Sequence, residues 1–167
     1  MDIVFLGSAR FAVPSLKILA STDHRILAVV TQPDKRKGRG LRITSTPVKT
    51  AALQEDLKIY QPDNVNSAEA VKFLKDLHPE LFVVIAYGQI LSQQVLDIPK
   101  IFSVNLHASL LPKYRGAAPV NWAIINGESA TGVTIIKMVR AMDAGPLIAQ
   151  RELDIDVQDT SINLEEK

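Results

Sequence analysis

Residues 103–116 read SVNLHASLLPKYRG, a strand-like run that breaks into a loop holding Pro112 and Gly116. Asn105 and His107 lie two positions apart. On a strand, residues i and i+2 face the same side. An amide and an imidazole there could converge on one ligand atom. The amide donates, and the imidazole donates or accepts a proton according to its charge. Together they could stabilise an oxyanion and manage a proton. Two loop-end polar residues bonded to backbone would give the same spacing.

Asp143, in VRAMDAGPL, precedes Gly145 and Pro146. A carboxylate there is ordinary turn chemistry, or it orients the imidazole and supports its charge. Spacing alone does not bring it to His107. The segment PDKRKGRGLR, residues 33–42, holds five basic residues and two glycines, and no acid follows Asp34 until Glu55. It is either a solvated loop or one suited to phosphate contact. It lacks the Walker pattern, because Gly40 is followed by Leu41 and Arg42. GSARFA, residues 7–12, lacks the G-x-G-x-x-G spacing. AYGQIL, residues 86–91, is either a turn or the wall of a ligand pocket. His24 and His78 sit in expected surface turns without metal-ligand spacing.

These residues need a frame. The run from Asp2 to Leu6 reads as a strand ending at Gly7, and Phe11 to Leu19 has helical spacing. Further strands are expected at 25–31, 58–60, 81–86 and 101–106, and over GVTIIKMV and PLIAQREL. Thr46 and Pro47 mark a helix start. Asn66 and Glu69 have capping-box spacing for the next helix, and a helix is expected over Pro119 to Ile125. Thr160 is expected to cap a last helix with Ile162 and Leu164 inside. The alternation predicts an α/β, Rossmann-like, three-layer, open and mostly parallel sheet with helices on both faces. Ligands of such sheets sit beyond the strand C-termini. Gly7-Ser8, AYGQIL and 105–115 fall there.

At 167 residues and a formal charge of +1, the chain suits one domain, and its bulk charge names no partner. It has no Cys, which excludes disulfides and thiolate metal sites among these residues. MDIVFLGSARF reads as a buried strand, not a signal peptide or membrane span. The ending DVQDTSINLEEK reads as a truncated helix, so a fragment of a longer chain is expected.

NLHASLLPKYRGAAPVNWAI, TGVTIIKMVRAMDAGPLI and IAYGQIL together resemble the folate-dependent formyltransferases over essentially the whole length. TQPDKRKGRG, TPVKTAA and IVFLGSARFAVPSL resemble the branch that acts on initiator methionyl-tRNA. The resemblance implies catalytic roles for Asn105, His107 and Asp143, with 10-formyltetrahydrofolate as co-substrate and no metal. It implies donor contacts from Ala86, Tyr87, Gly88, Gln89, Ile90 and Leu91. It adds Ser109, Leu110, Leu111 and Pro112, then Arg140, Ala141 and Met142. It implies tRNA contacts from Lys35, Arg36, Lys37, Gly38, Arg39, Gly40 and Arg42. A cytoplasmic monomer comprising the catalytic domain, 1–167, without the family's C-terminal barrel, is expected. The family's usual Gly-Thr-Pro after the first strand is Gly7-Ser8-Ala9 here, so a hydroxyl is kept and a proline lost. Formylation of a small amine or nucleotide sugar, hydrolysis of the donor, and non-catalytic tRNA or nucleotide binding stay open.

Overall fold

The computed structural model describes residues 1–37 and 42–167, which divide into two compact units, Met1–Ser103 and Val104–Lys167. The first is built on four parallel strands. They are β1 (Asp2–Gly7), β2 (Arg25–Val30), β5 (Ile59–Tyr60) and β6 (Leu81–Ile85), in the order β5-β2-β1-β6. Ile3, Val4, Phe5 and Leu6 are all buried, which is why β1 reads as an unbroken apolar run. Burying each such side chain contributes roughly 1.5–3 kcal/mol.

The order fixes where ligands can bind. Passing from β1 to β2 to β5, the chain moves one way, through α1 (Val13–Ala20) and α2 (Pro47–Gln54), which pack together. It then crosses back through α3 (Ala68–Asp76) to β6, on the other side of β1. Right-handed crossovers in opposite directions place α3 on the opposite face from α1 and α2. The reversal point lies between β1 and β6, beside Gly7-Ser8 and the start of AYGQIL.

Local chemistry sets the helix starts. Thr46 caps α2, accepting from Lys49 N at 3.0 Å, with Pro47 in the first turn. The cap of α3 is Ser67, accepting from Ala70 N, and not Asn66 as the spacing to Glu69 implied. Asn66 instead donates to Ile90 O and accepts from Ser92 N. Ser92 in turn caps a single-turn helix, α4 (Gln93–Leu96).

The described ends of the basic segment are paired strands. Lys35–Lys37 forms β3 and Arg42–Thr44 forms β4, paired antiparallel as a hairpin. Gly38, Arg39 and Gly40 lie outside the described residues.

From Val104 onward the second unit holds most of β7 (Phe102–His107), then α5 (Pro119–Ile125), β8 (Ala130–Lys137), β9 (Leu147–Asp154) and α6 (Ser161–Glu166). Here β7 pairs antiparallel with β8, and β8 with β9. Thr160 caps α6 as the sequence implies, but only Leu164 is buried, while Ile162 is 73% exposed. Among the described residues, no helix is long and apolar enough to cross a membrane.

Candidate active site

Asn105 and His107 both lie on β7, which fixes their common face. Asp143 lies in the turn between β8 and β9. That turn closes where Lys137 N donates to Pro146 O at 2.9 Å. The carboxylate meets both β7 side chains. Asn105 Nδ2 donates to Oδ1 at 3.3 Å, and His107 Nδ1 stands 3.6 Å from Oδ2. Oδ2 also accepts from Gly116 N at 2.9 Å, which ties the Pro/Gly loop to the turn. The side chains of His107 and Asp143 are only 8% and 12% exposed, so these contacts lie in a weakly screened setting.

The two nitrogens of His107 have unlike neighbours. Nε2 lies 2.9 Å from the carbonyl oxygen of Tyr114, which can only accept, so Nε2 carries a hydrogen. Tyr114 is held at both ends. Its hydroxyl donates to Glu128 Oε1 at 2.7 Å and accepts from Asn126 Nδ2 at 3.1 Å. Glu128 also receives Lys113 Nζ at 3.0 Å, and these bonds, that from Tyr114 foremost, hold its carboxyl below the usual range.

Several backbones here sit in the left-handed region: Tyr114 (φ 56), Gly116 (φ 88), Ala118 (φ 55) and Asp143 (φ 48). For side chains other than Gly this costs on the order of 1–3 kcal/mol each. Hydrogen bonds around Asp143 and Glu128 retain the conformation.

Thr134 pairs opposite His107 in the β7–β8 register and is fully buried. Its hydroxyl donates to Ser109 O at 2.6 Å and accepts from Leu111 N at 3.1 Å and Gln150 Nε2 at 2.8 Å. The Ser109 hydroxyl donates to Lys113 O at 2.6 Å. The SLLP loop is thus shaped from beneath. Ser109 and Leu111 are buried, Leu110 is half-buried and Pro112 is exposed. Arg140, Ala141 and Met142 are exposed.

In the first unit, Ala86, Gly88 and Ile90 of AYGQIL are exposed, while Tyr87 and Leu91 are buried. Ala86 (φ 44) and Gly88 (φ 89) make the sharp turn. The Gln89 amide is committed to the neighbouring loop: it accepts from Val65 N at 2.8 Å and donates to Asp63 O at 3.2 Å. Burial pushes the Tyr87 phenol up, and its hydroxyl has no partner among the described residues. Of the basic residues, Lys35 and Arg36 are exposed on β3, and Lys37 and Arg42 complete the hairpin ladder. Among the described residues, no group of three or more His, Asp or Glu is placed to hold a metal ion.

Sequence reasoning missed Tyr114, Gly116, Thr134 and Glu128. Gly145 carries the clearest signal of the turn's tightness. A Cβ built there would lie 1.7 Å from Lys137 O. Gly145→Ala must therefore displace backbone. It is expected to destabilise the fold by about 1–3 kcal/mol, read as a lower denaturant midpoint, with a loss of activity beyond the stability change because Asp143 moves.

The sequence pattern of the formyl transferase family matches residues 1–167. The chain belongs to that family. A methionyl-tRNA formyltransferase of Caldanaerobacter subterraneus subsp. tengcongensis is 50% identical over 168 residues, covering 100% of this chain and 54% of its own length. That of Thermodesulfovibrio yellowstonii is 50% identical over 165 residues, with 99% and 54% covered. The chain spans about half the length of the curated relatives it matches.

Solved structures share the fold. A phosphoribosylglycinamide formyltransferase from Bacillus halodurans superposes with a TM-score of 0.79 at 22% identity, covering 99% of this chain and 86% of that one. Another, from Anaplasma phagocytophilum, gives 0.81 at 20% identity, with 99% and 78% covered. The formyl transferase fold is therefore the expected α/β, Rossmann-like, mostly parallel arrangement.

In this member of the formyl transferase family the altered turn after β1 is compensated locally. The Ser8 hydroxyl donates to Tyr87 O at 2.8 Å and accepts from Gln32 N at 3.1 Å, joining the ends of β1, β2 and β6. Ala9 N donates to Ala86 O at 3.4 Å, a bond that proline has no hydrogen to make.

Proposed function

We propose that the chain transfers a formyl group from N10 of 10-formyltetrahydrofolate to the α-amine of initiator methionyl-tRNA. The observation that carries this reading is the meeting of Asn105, His107 and Asp143 on one carboxylate. The identity to methionyl-tRNA formyltransferases supports the acceptor.

The side chains fit an acyl-type transfer. Asn105 is an amide donor for the formyl oxygen as it gains charge. Such donors, aimed in advance, are often the largest catalytic contribution. His107 Nε2–H now rests on the Tyr114 carbonyl. To reach the same oxygen it exchanges a neutral acceptor for a charged one, and charge-assisted bonds are roughly twice as strong. Asp143 fixes the Asn105 amide through Oδ1 and takes part in moving the proton. The new bond joins the amine nitrogen to the formyl carbon, the bond to N10 breaks, and the proton passes from the amine to N10.

The donor itself supplies the activated formyl group. Residues 86–91, 109–112 and 140–142 are the segments assigned to hold it. The exposed, sharply turned backbone at Ala86 and Gly88 is compatible with close approach of a flat ring.

The β3–β4 hairpin is assigned to the tRNA backbone. Replacing Lys35, Arg36, Lys37 and Arg39 with Ser should raise KM for tRNA and leave donor affinity unchanged. The log–log salt slope should fall by roughly one unit per lost phosphate contact. An unchanged slope and KM would remove tRNA from the hairpin's role.

The deciding assay supplies the donor with methionyl-tRNA, a glycinamide nucleotide, an amino sugar nucleotide, or no acceptor. Formylmethionyl-tRNA as the main product is the expected result. Transfer to a small amine, formate released without acceptor, or binding without turnover would each overturn it.

A further inference from the structure

We propose that Asp34, Lys49 and Gln61 form a clamp that sets the direction of the β3–β4 hairpin, making Asp34 a positioning residue for a polyanionic acceptor. This rests on the hairpin's assignment to tRNA.

The hairpin cannot orient itself. It has three residue pairs, Lys35↔Thr44, Arg36↔Ile43 and Lys37↔Arg42. Its one large apolar residue on the described ladder, Ile43, is 71% exposed. A two-stranded hairpin with so little burial is marginal in water, so its direction has to come from its roots.

Both roots meet at one carboxylate. Asp34 immediately precedes β3 and Ser45 immediately follows β4. Asp34 Oδ2 accepts from Lys49 Nζ on α2 at 2.7 Å and from Ser45 Oγ at 3.3 Å. Its Oδ1 accepts from Gln61 Nε2 at 2.9 Å, and the same amide donates to Gln32 O at 2.8 Å. Gln61 directly follows β5. A second tie lies behind the first, where the hydroxyls of buried Thr31 and helix-capping Thr46 lie 2.7 Å apart. Strand ends, helix and hairpin are thereby joined. Lys49 foremost, then Gln61, holds the Asp34 carboxyl below the usual carboxylate range, so the clamp stays ionised.

The sign of the charge makes the idea testable. A carboxylate at the root of a basic arm opposes a polyanion. Electrostatics alone therefore predicts that Asp34→Asn tightens tRNA binding, whereas loss of a clamp weakens it.

The experiment uses the full chain with initiator methionyl-tRNA. In Asp34→Asn, KM for tRNA is expected to rise about tenfold if the released hairpin holds its bound direction about a tenth of the time. The value of kcat should stay within about twofold, and amide exchange across β3 and β4 should quicken. Gln61→Met changes no charge and should move KM the same way. Asp34→Glu should recover part of the loss. Equal or tighter tRNA use by Asp34→Asn, or unchanged exchange, overturns the clamp. The arm neutralised at residues 35, 36, 37 and 39 separates the two readings. If it raises KM while Asp34→Asn does not, the clamp fails and the tRNA assignment stands. If neither raises KM, the tRNA assignment fails as well.

Discussion

Asp143→Asn is expected to lower the rate of formyl transfer by roughly 10⁴-fold, the scale seen when an orienting carboxylate beside a catalytic imidazole becomes an amide. The carboxylate serves two donors on two different oxygens, Asn105 Nδ2 at 3.3 Å and Gly116 N at 2.9 Å. An amide has one accepting oxygen. In either orientation its NH₂ group faces Asn105 or Gly116, donor against donor. The Asn105 amide loses its aim, or the Tyr114–Gly116 loop loses its anchor, and with it the carbonyl that Nε2 of His107 now meets. The variant also lacks the carboxylate proposed to take part in moving the proton. A buried donor left unmatched costs about 1–3 kcal/mol, so the denaturant midpoint should fall as well. Single-turnover transfer, measured well below that midpoint with both substrates saturating, separates the two effects. A variant retaining a tenth or more of the wild-type rate would remove Asp143 from the mechanism.

What the sequence made legible follows the range of the interactions. Buried parallel strands announce themselves as unbroken apolar runs, so β1, β2 and β6 are readable from LFVVI-like patterns alone. Thr46-Pro47 marks α2 because cap and first turn are chain neighbours. The cap of α3 misled by one residue. Asn66 has the right spacing to Glu69, but tertiary bonds to Ile90 and Ser92 take its side chain and leave the cap to Ser67. Strand direction was less visible. An apolar run such as GVTIIKMV has no polarity of its own, and the antiparallel placement of β8 and β9 comes from the turn closed at Gly145. The hairpin of β3 and β4 has the sequence of a loop, because its residues are basic and its ladder is only three pairs long. For the site, i,i+2 spacing on a strand gives the common face of Asn105 and His107. Nothing local brings Asp143 to them, 38 residues from Asn105. The resemblance named that residue, and the geometry gives its contacts. Tyr114 and Thr134 acted through a backbone carbonyl and a cross-strand register, neither of which leaves a motif.

Asn105→Ala carries the second large effect and tests the division of labour within the site. The two hydrogens of a primary amide share one plane, so fixing one on Asp143 Oδ1 directs the other. That second hydrogen is the one assigned to the charged formyl oxygen. Removing one such donor costs about 2.7–4 kcal/mol of barrier, a loss of roughly 10²–10³ in kcat. The donor bond should matter little before charge develops, so KM for either substrate is expected to change far less than kcat. Stability should fall only modestly, because Asp143 keeps its bond from Gly116. The pair of variants has a further signature. If Asp143 acts partly by aiming Asn105, the double variant Asn105→Ala, Asp143→Asn loses less than the product of the single losses. Strict multiplication would mean that the carboxylate works through His107 or the proton alone. Near-normal turnover in Asn105→Ala would leave the formyl oxygen without the donor on which the proposed mechanism depends.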